Sequence, residues 1–114
     1  MAINRLSTAV PVIAAFNSQS GTTYTFVLAD ANLIVQGSSS SATTYTIPLN
    51  STAAFPVGAT ITILQAGTGQ ITLVGAGGVT VNATPGLKLR TQWSIATITK
   101  RATDTWVMYG DVMA

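Results

Sequence analysis

The stretch from residue 55 to residue 90 constrains the fold more than any other part of the sequence. It consists of short segments in which apolar and polar residues alternate, and glycine or proline interrupts the alternation about every ten residues. Threonine, valine and isoleucine dominate these segments, and such residues favour a pleated surface with one buried face. The glycines between the segments are typical of hairpin turns that need positive φ. The stretch therefore predicts consecutive antiparallel strands joined by hairpins.

The same alternation extends to both sides of this stretch, at residues 22–28, 43–49, 93–99 and 105–109. Residues 37–41, a glycine followed by a run of serines, are expected to form a mobile loop. The whole chain predicts about eight to ten short strands and no helix longer than one turn, which is typical of a small antiparallel β-sandwich or barrel. The glycine spacing also hints at a β-helix, or at a β-prism in which three chains share one core.

Residues 1–21 are the least regularly patterned part of the chain. Pro11 disfavours a continuous helix there. We expect either a first edge strand or an extended arm, because a short apolar arm ahead of a compact domain needs another surface to bury it. Residues 22–114 are predicted to form a single β domain. The candidate residues for contact with a larger assembly or a neighbouring subunit are Val10, Val12, Ile13 and Phe16.

The low content of charged residues indicates a protein that works in an assembly. Charged residues make up 7% of the chain, against about 25% in typical soluble domains, and a surface poor in charge tends to associate. The net charge of +2 does not amount to a basic patch. The adjacent Lys100 and Arg101 are expected in a polar hairpin connection, so no nucleic-acid partner is predicted. No apolar run approaches the roughly eighteen residues of a membrane span, so no membrane partner is predicted.

The sequence offers little material for catalysis. The chain contains no histidine, glutamate or cysteine, which excludes a serine triad and the usual zinc sites. Asp30, Asp104 and Asp111 are expected at turns or strand ends. Asp104 and Asp111 flank the last predicted strand, so they would lie at its opposite ends and not face each other across a scissile bond. We predict no catalytic, cofactor-binding or metal-binding residue, and therefore no enzyme.

Three large aromatic residues near the carboxyl terminus raise the possibility of ligand binding. Trp93, Trp106 and Tyr109 have side chains that can stack on sugar rings or bases, although such residues in a small β domain more often belong to the core. A carbohydrate-binding domain therefore stays as an alternative. It requires Trp93 or Trp106 to be exposed.

Several short motifs occur in a characteristic order. They are Phe55-Pro56-Val57-Gly58, Gly67-Thr68-Gly69-Gln70, Leu87-Lys88-Leu89-Arg90, Gln92-Trp93-Ser94, Thr105-Trp106 with Gly110-Asp111, and a weaker match that begins at Tyr24. In this order and spacing, over roughly residues 21–111, the chain resembles a β-rich module of tailed-bacteriophage virion proteins. That module occurs at the ends of tail fibres and as small stand-alone structural proteins. The resemblance implies a virion component that assembles as a homotrimer and carries no catalytic residues.

Two virion functions follow from this resemblance. A chain of 114 residues without a shaft is expected to be a stand-alone copy. The first function is a capsid decoration (cement) protein, which binds the major capsid protein and stabilises the shell, with the amino-terminal arm as its anchor. The alternative is a tail-fibre or tail-tip module involved in host receptor binding, which would use loop 37–41 or the aromatic residues and contact other tail proteins.

Overall fold

The computed structural model describes residues 15–114, and this part of the chain is all-β, as predicted. It contains eleven strands and a short 3₁₀ helix, Leu28–Asp30. The strands are β1 (Phe16–Gln19), β2 (Thr23–Thr25), β3 (Ile34–Gly37), β4 (Thr43–Ile47), β5 (Thr60–Gln65), β6 (Ile71–Gly75), β7 (Thr80–Ala83), β8 (Lys88–Leu89), β9 (Ile95–Ala102), β10 (Thr105–Gly110) and β11 (Val112–Met113). Within these residues no helix is long and apolar enough to cross a bilayer.

The strands form two sheets. One sheet has six strands in the order β1-β3-β5-β9-β10-β7, and the other has five strands in the order β11-β8-β6-β4-β2. The chain passes from one sheet to the other after each strand from β1 to β8, so sequential strands up to β9 are separated by the core. This arrangement of two layers buries the inward residues of both sheets between them.

The first six strands are stacked as in a solenoid. β1, β3 and β5 are mutually parallel in the six-stranded sheet, and β2, β4 and β6 are mutually parallel in the five-stranded sheet. Each successive pair of strands is one rung. The hairpins expected within residues 55–90 are therefore not formed there, because β5 and β6 lie in different sheets. Side chains alternate with a period of two in either arrangement, so the sequence pattern does not distinguish them.

The carboxyl-terminal strands pair mostly antiparallel, as the sequence predicts for the whole chain. β9 pairs antiparallel with both β5 and β10, and β8 pairs antiparallel with both β6 and β11. β7 differs, since it is parallel to β10. Asp104 occupies the turn between β9 and β10 with φ of 53°, a conformation that aspartate tolerates better than most residues.

The core follows the alternation of the strands. In β5, Ile61, Ile63 and Gln65 point inward and are buried. Burying each isoleucine stabilises the fold by about 1.5–3 kcal/mol. Gln65 is accommodated because its side-chain oxygen accepts a hydrogen bond from the backbone N–H of Ile71 at 3.1 Å. The other large side chains of the core are Phe26, Tyr45, Ile47, Phe55, Ile71, Leu73, Leu89, Ile98, Trp106 and Met108.

The corner loops of the second and third rungs pack directly on each other. A Cβ atom on Gly67 would overlap the carbonyl oxygen of Ser39, and a Cβ atom on Gly69 would overlap that of Ser41. Gly69 also donates a backbone hydrogen bond of 3.0 Å to the Ser39 carbonyl. These two glycines are therefore needed for close approach of the backbones and not for positive φ. The serine loop, expected to be mobile, packs against the next rung.

Candidate functional site

The first rung forms one end of the solenoid, and we call β1, β2 and the connection 26–33 the first-rung end. β1 pairs with β3 and β2 pairs with β4. On their other sides neither strand has a partner among residues 15–114. Within the described residues, the outer backbone N–H and C=O groups of each strand therefore have no ladder partner, and a further strand can pair with them.

Large apolar side chains are exposed at the first-rung end. Phe16, a candidate contact residue, is 59% exposed and lies on the outer face of the six-stranded sheet opposite Ile34. Val27 and Leu28, which the sequence analysis did not select, are half-exposed in the connection to the second rung. The remaining candidates, Val10, Val12 and Ile13, lie outside the described residues, so their role stays a prediction.

A polar cluster closes the interior behind these exposed residues. The buried carboxylate of Asp30 accepts hydrogen bonds from Asn17 Nδ2 (2.8 Å), the Tyr24 hydroxyl (2.7 Å) and the backbone N–H of Val27 (2.9 Å). Burial, followed by the hydrogen bond and charge of Asp30, raises the pKa of Tyr24 to about 12. Asp30 thus has the turn role expected of it. The cluster satisfies the polar groups at the end of the core and fixes the two edge strands.

A second exposed site lies in the turn at residues 90–94, which we call the Trp93 turn. Trp93 was expected to begin a strand, but β9 begins at Ile95. Trp93 is 65% exposed and has φ of 73°, a left-handed conformation that is uncommon for a bulky residue. Its backbone N–H donates to the carbonyl of Gln65 at 2.6 Å. Strained backbone of this kind persists only where the surroundings over-determine it.

Asp111 supplies much of that support. Its carboxylate accepts hydrogen bonds from Arg90 Nε at 2.8 Å and from the Ser94 hydroxyl at 2.7 Å. The hydrogen bond from Arg90, followed by that from Ser94, lowers the pKa of Asp111. The Ser94 hydroxyl in turn accepts a bond from the backbone N–H of Thr91 at 3.0 Å. These bonds fasten the Trp93 turn to the end of β10.

Trp93 is accompanied by two other half-exposed apolar residues, Ile95 and Tyr109, and we call the three the Trp93 surface. Tyr109 is opposite Thr97 in the β9–β10 ladder, so it is a diagonal neighbour of Ile95 on the same face. No pocket is present among residues 15–114, so this site is an open surface. Trp106 is only 1% exposed and belongs to the core. Carbohydrate binding requires an exposed tryptophan, and of the two tryptophans only Trp93 is exposed.

The described residues do not assemble a metal-binding cluster. Residues 15–114 contain no group of three or more potential acidic, histidine or cysteine ligands. Asp104 and Asp111 flank β10 at opposite ends, as expected.

Comparison of the chain with protein-family models, with curated proteins and with solved structures gives no match.

Proposed function

We propose that this protein is a non-enzymatic structural protein of a bacteriophage virion, and that it decorates the capsid. As a homotrimer it would bind the major capsid protein and stabilise the shell. The observation that carries this proposal is the first-rung end. There, Phe16 is exposed on an edge strand that directly follows the apolar residues Val10, Val12 and Ile13.

The first-rung end offers two kinds of attraction to a shell surface. The free backbone edges of β1 and β2 allow a strand of a partner to add to either sheet, with main-chain hydrogen bonds as the source of affinity. The exposed side chains of Phe16, Val27 and Leu28 add apolar area. Full burial of such a side chain is worth about 1.5–3 kcal/mol relative to exposure. A modest affinity per subunit becomes effective when three subunits bind together.

Copy number and location in the virion test this proposal. We expect purified particles to carry many copies on the capsid surface, seen by electron microscopy and counted by quantitative mass spectrometry. Sedimentation of the isolated protein should give the mass of a trimer. About three or six copies per particle, as for a component on the tail axis, would contradict a decoration role.

A matched pair of substitutions tests the first-rung end itself. Phe16→Ser should reduce the occupancy of the protein on purified shells. Val57→Ser is the control, because Val57 is 65% exposed but lies in a loop outside the first-rung end. Equal occupancy for both variants would show that Phe16 does not contact the shell.

The Trp93 surface favours a second function, a tail-fibre or tail-tip module involved in host receptor binding. The exposed residues Trp93, Ile95 and Tyr109 together have the composition of a binding hot spot. If this function holds, the isolated protein binds host cells, and Trp93→Ala abolishes that binding while the circular dichroism spectrum is unchanged. Cell binding that survives Trp93→Ala would rule out this surface as the receptor contact.

A further inference from the structure

Lys100 does not lie in the polar hairpin connection where the sequence analysis placed it. It belongs to β9, where Ala96 and Ile98 precede it on the inward face, and it is only 3% exposed. Arg101, the next residue, is exposed. The alternation along β9 contained this information, because it places residue 100 on the same face as residues 96 and 98.

The Lys100 amine has neutral partners. Nζ donates a hydrogen bond of 2.7 Å to the carbonyl oxygen of Phe55 and another to the side-chain oxygen of Asn50. Trp106 is opposite Lys100 in the β9–β10 ladder and packs edge-to-face against Phe55, with ring centroids 5.4 Å apart. Within residues 15–114 no carboxylate lies within 4.0 Å of Lys100 Nζ. The buried amine is thus bound to two neutral oxygen acceptors and has no carboxylate in ion-pair contact within the described residues.

Such an environment is costly for an ammonium group. A buried charge needs an opposite charge or extensive hydrogen bonding to replace its hydration. Two neutral acceptors replace only part of it. Conversion of the amine to an amide would remove the charge and leave one N–H group. That N–H group could still donate a hydrogen bond to the Phe55 carbonyl oxygen.

We propose that Lys100 and Asn50 join in an intramolecular isopeptide bond. Lys100 Nζ attacks Asn50 Cγ, the new Cγ–Nζ bond forms, and the bond from Cγ to Nδ2 breaks. If Lys100 starts as an ammonium, the protons that it loses leave with Nδ2 as an ammonium ion. The net charge and the atoms balance without an oxidant, a reductant or a co-reactant.

The backbone holds both reacting side chains in position. Lys100 is fixed through its N–H, which donates to Ala59 at 3.0 Å, and its carbonyl, which accepts from Gly58 at 2.8 Å. The backbone N–H of Asn50 donates to Asp104 Oδ1 at 2.7 Å. Asp104 is therefore a positioning residue. Holding two groups in contact in this way can replace a large part of the barrier of a bimolecular reaction.

The bond would fasten the loop after β4 to β9, between residues 50 positions apart in the sequence. A covalent link of this kind restricts the unfolded chain. It also keeps the loop attached when the protein is pulled or attacked by a protease, conditions that a particle surface meets. The inference does not rest on the proposed virion function, since it concerns the chemistry of one chain.

Mass spectrometry of the intact, denatured protein tests the bond directly. After allowance for removal of Met1, we expect a mass lower than the sequence mass by one ammonia. In a tryptic digest, the peptide 6–88 should be joined to the peptide 91–101, because acylated Lys100 is no longer cleaved. Separate peptides 6–88 and 91–100 would overturn the proposal.

Variants and a chemical alternative sharpen the result. Lys100→Met and Asn50→Ala should each abolish the loss of ammonia and the joined peptides, whereas Lys88→Met, a change at an exposed lysine, should retain the link. Ring closure of Asn50 onto its own backbone would also release ammonia but would leave the two peptides separate, and that outcome refutes the isopeptide bond. The measurement on the unaltered protein decides the question even if a variant fails to fold.

Discussion

Replacement of Trp93 by glycine should change stability little, although it removes one of the largest side chains. Trp93 is 65% exposed, so about a third of it is buried. A fully buried tryptophan covers about 150–250 Å², so the loss is about 50–90 Å², or about 1–2 kcal/mol. Glycine adopts the left-handed conformation without strain, which stabilises the folded state by about 1–2 kcal/mol. The added freedom of glycine in the unfolded chain costs about 0.5–1 kcal/mol. We expect a net destabilisation of about 1 kcal/mol or less.

Two comparison variants make this prediction decisive. Trp93→Ala loses the same contacts but keeps the strained φ, so it should be less stable than Trp93→Gly. Trp106→Ala, which empties a buried site, should cost about 3–5 kcal/mol. Urea denaturation followed by circular dichroism measures all three, and thermal midpoints should move by about 4–8 °C for each kcal/mol. A glycine variant less stable than the alanine variant would refute the strain at residue 93. A loss near that of Trp106→Ala would show that Trp93 is a packing residue.

Three further predictions concern the interior. Tyr45→Phe should be neutral or slightly stabilising in urea denaturation, because the Tyr45 hydroxyl is buried and has no hydrogen-bond partner among residues 15–114. Asp30→Ala should lower the unfolding free energy by about 2–4 kcal/mol, since its carboxylate accepts three hydrogen bonds; a loss below about 0.5 kcal/mol would contradict its organising role. The raised pKa of Tyr24, about 12 against 10.0, means that the folded state holds this proton more tightly than the unfolded state does. Its contribution is complete below pH 10 and should be lost as pH rises from 10 to 12. Tyr24→Phe should remove part of that fall, while burial of Tyr45, which also raises its pKa, keeps the rest; an unchanged alkaline profile in Tyr24→Phe would contradict the assignment.

The sequence predicted the all-β class because that information is local. Alternation in residues 43–47 and 60–65 identifies which side chains face the core, and the structure buries those residues accordingly. The partner of each strand is not local information. A hairpin and a rung of a solenoid impose the same period of two on the side chains, and only the length and direction of the connection separate them. Gly67 and Gly69 have the appearance of turn residues, whereas they allow one rung to approach the next.

The sequence also identified only part of the candidate site. Phe16 was selected because an apolar side chain in an irregular segment needs a partner surface, and the structure leaves it exposed. Val27 and Leu28 were missed, since within the alternating pattern of residues 22–28 they are typical of a strand. The exposure of Trp93 depends on a backbone conformation set by Gln65 and Asp111, which are distant in sequence. From the sequence alone, a core position was the more common expectation for Trp93, because large aromatic residues in small β domains are usually buried.

Trp93 and Lys100 are similar in one respect. Each occupies a position where another residue would make folding easier: glycine at the left-handed turn, and an apolar residue at the inward position of β9. Local rules are broken in natural proteins mainly at functional sites, and the cost is met by the surrounding structure. In both cases that structure is visible, as the Asp111 bonds around the Trp93 turn and as the Asn50 and Phe55 acceptors around the Lys100 amine. The scaffold thus holds an aromatic side chain outward and an amine inward against an amide, and each arrangement carries a cost in folding stability.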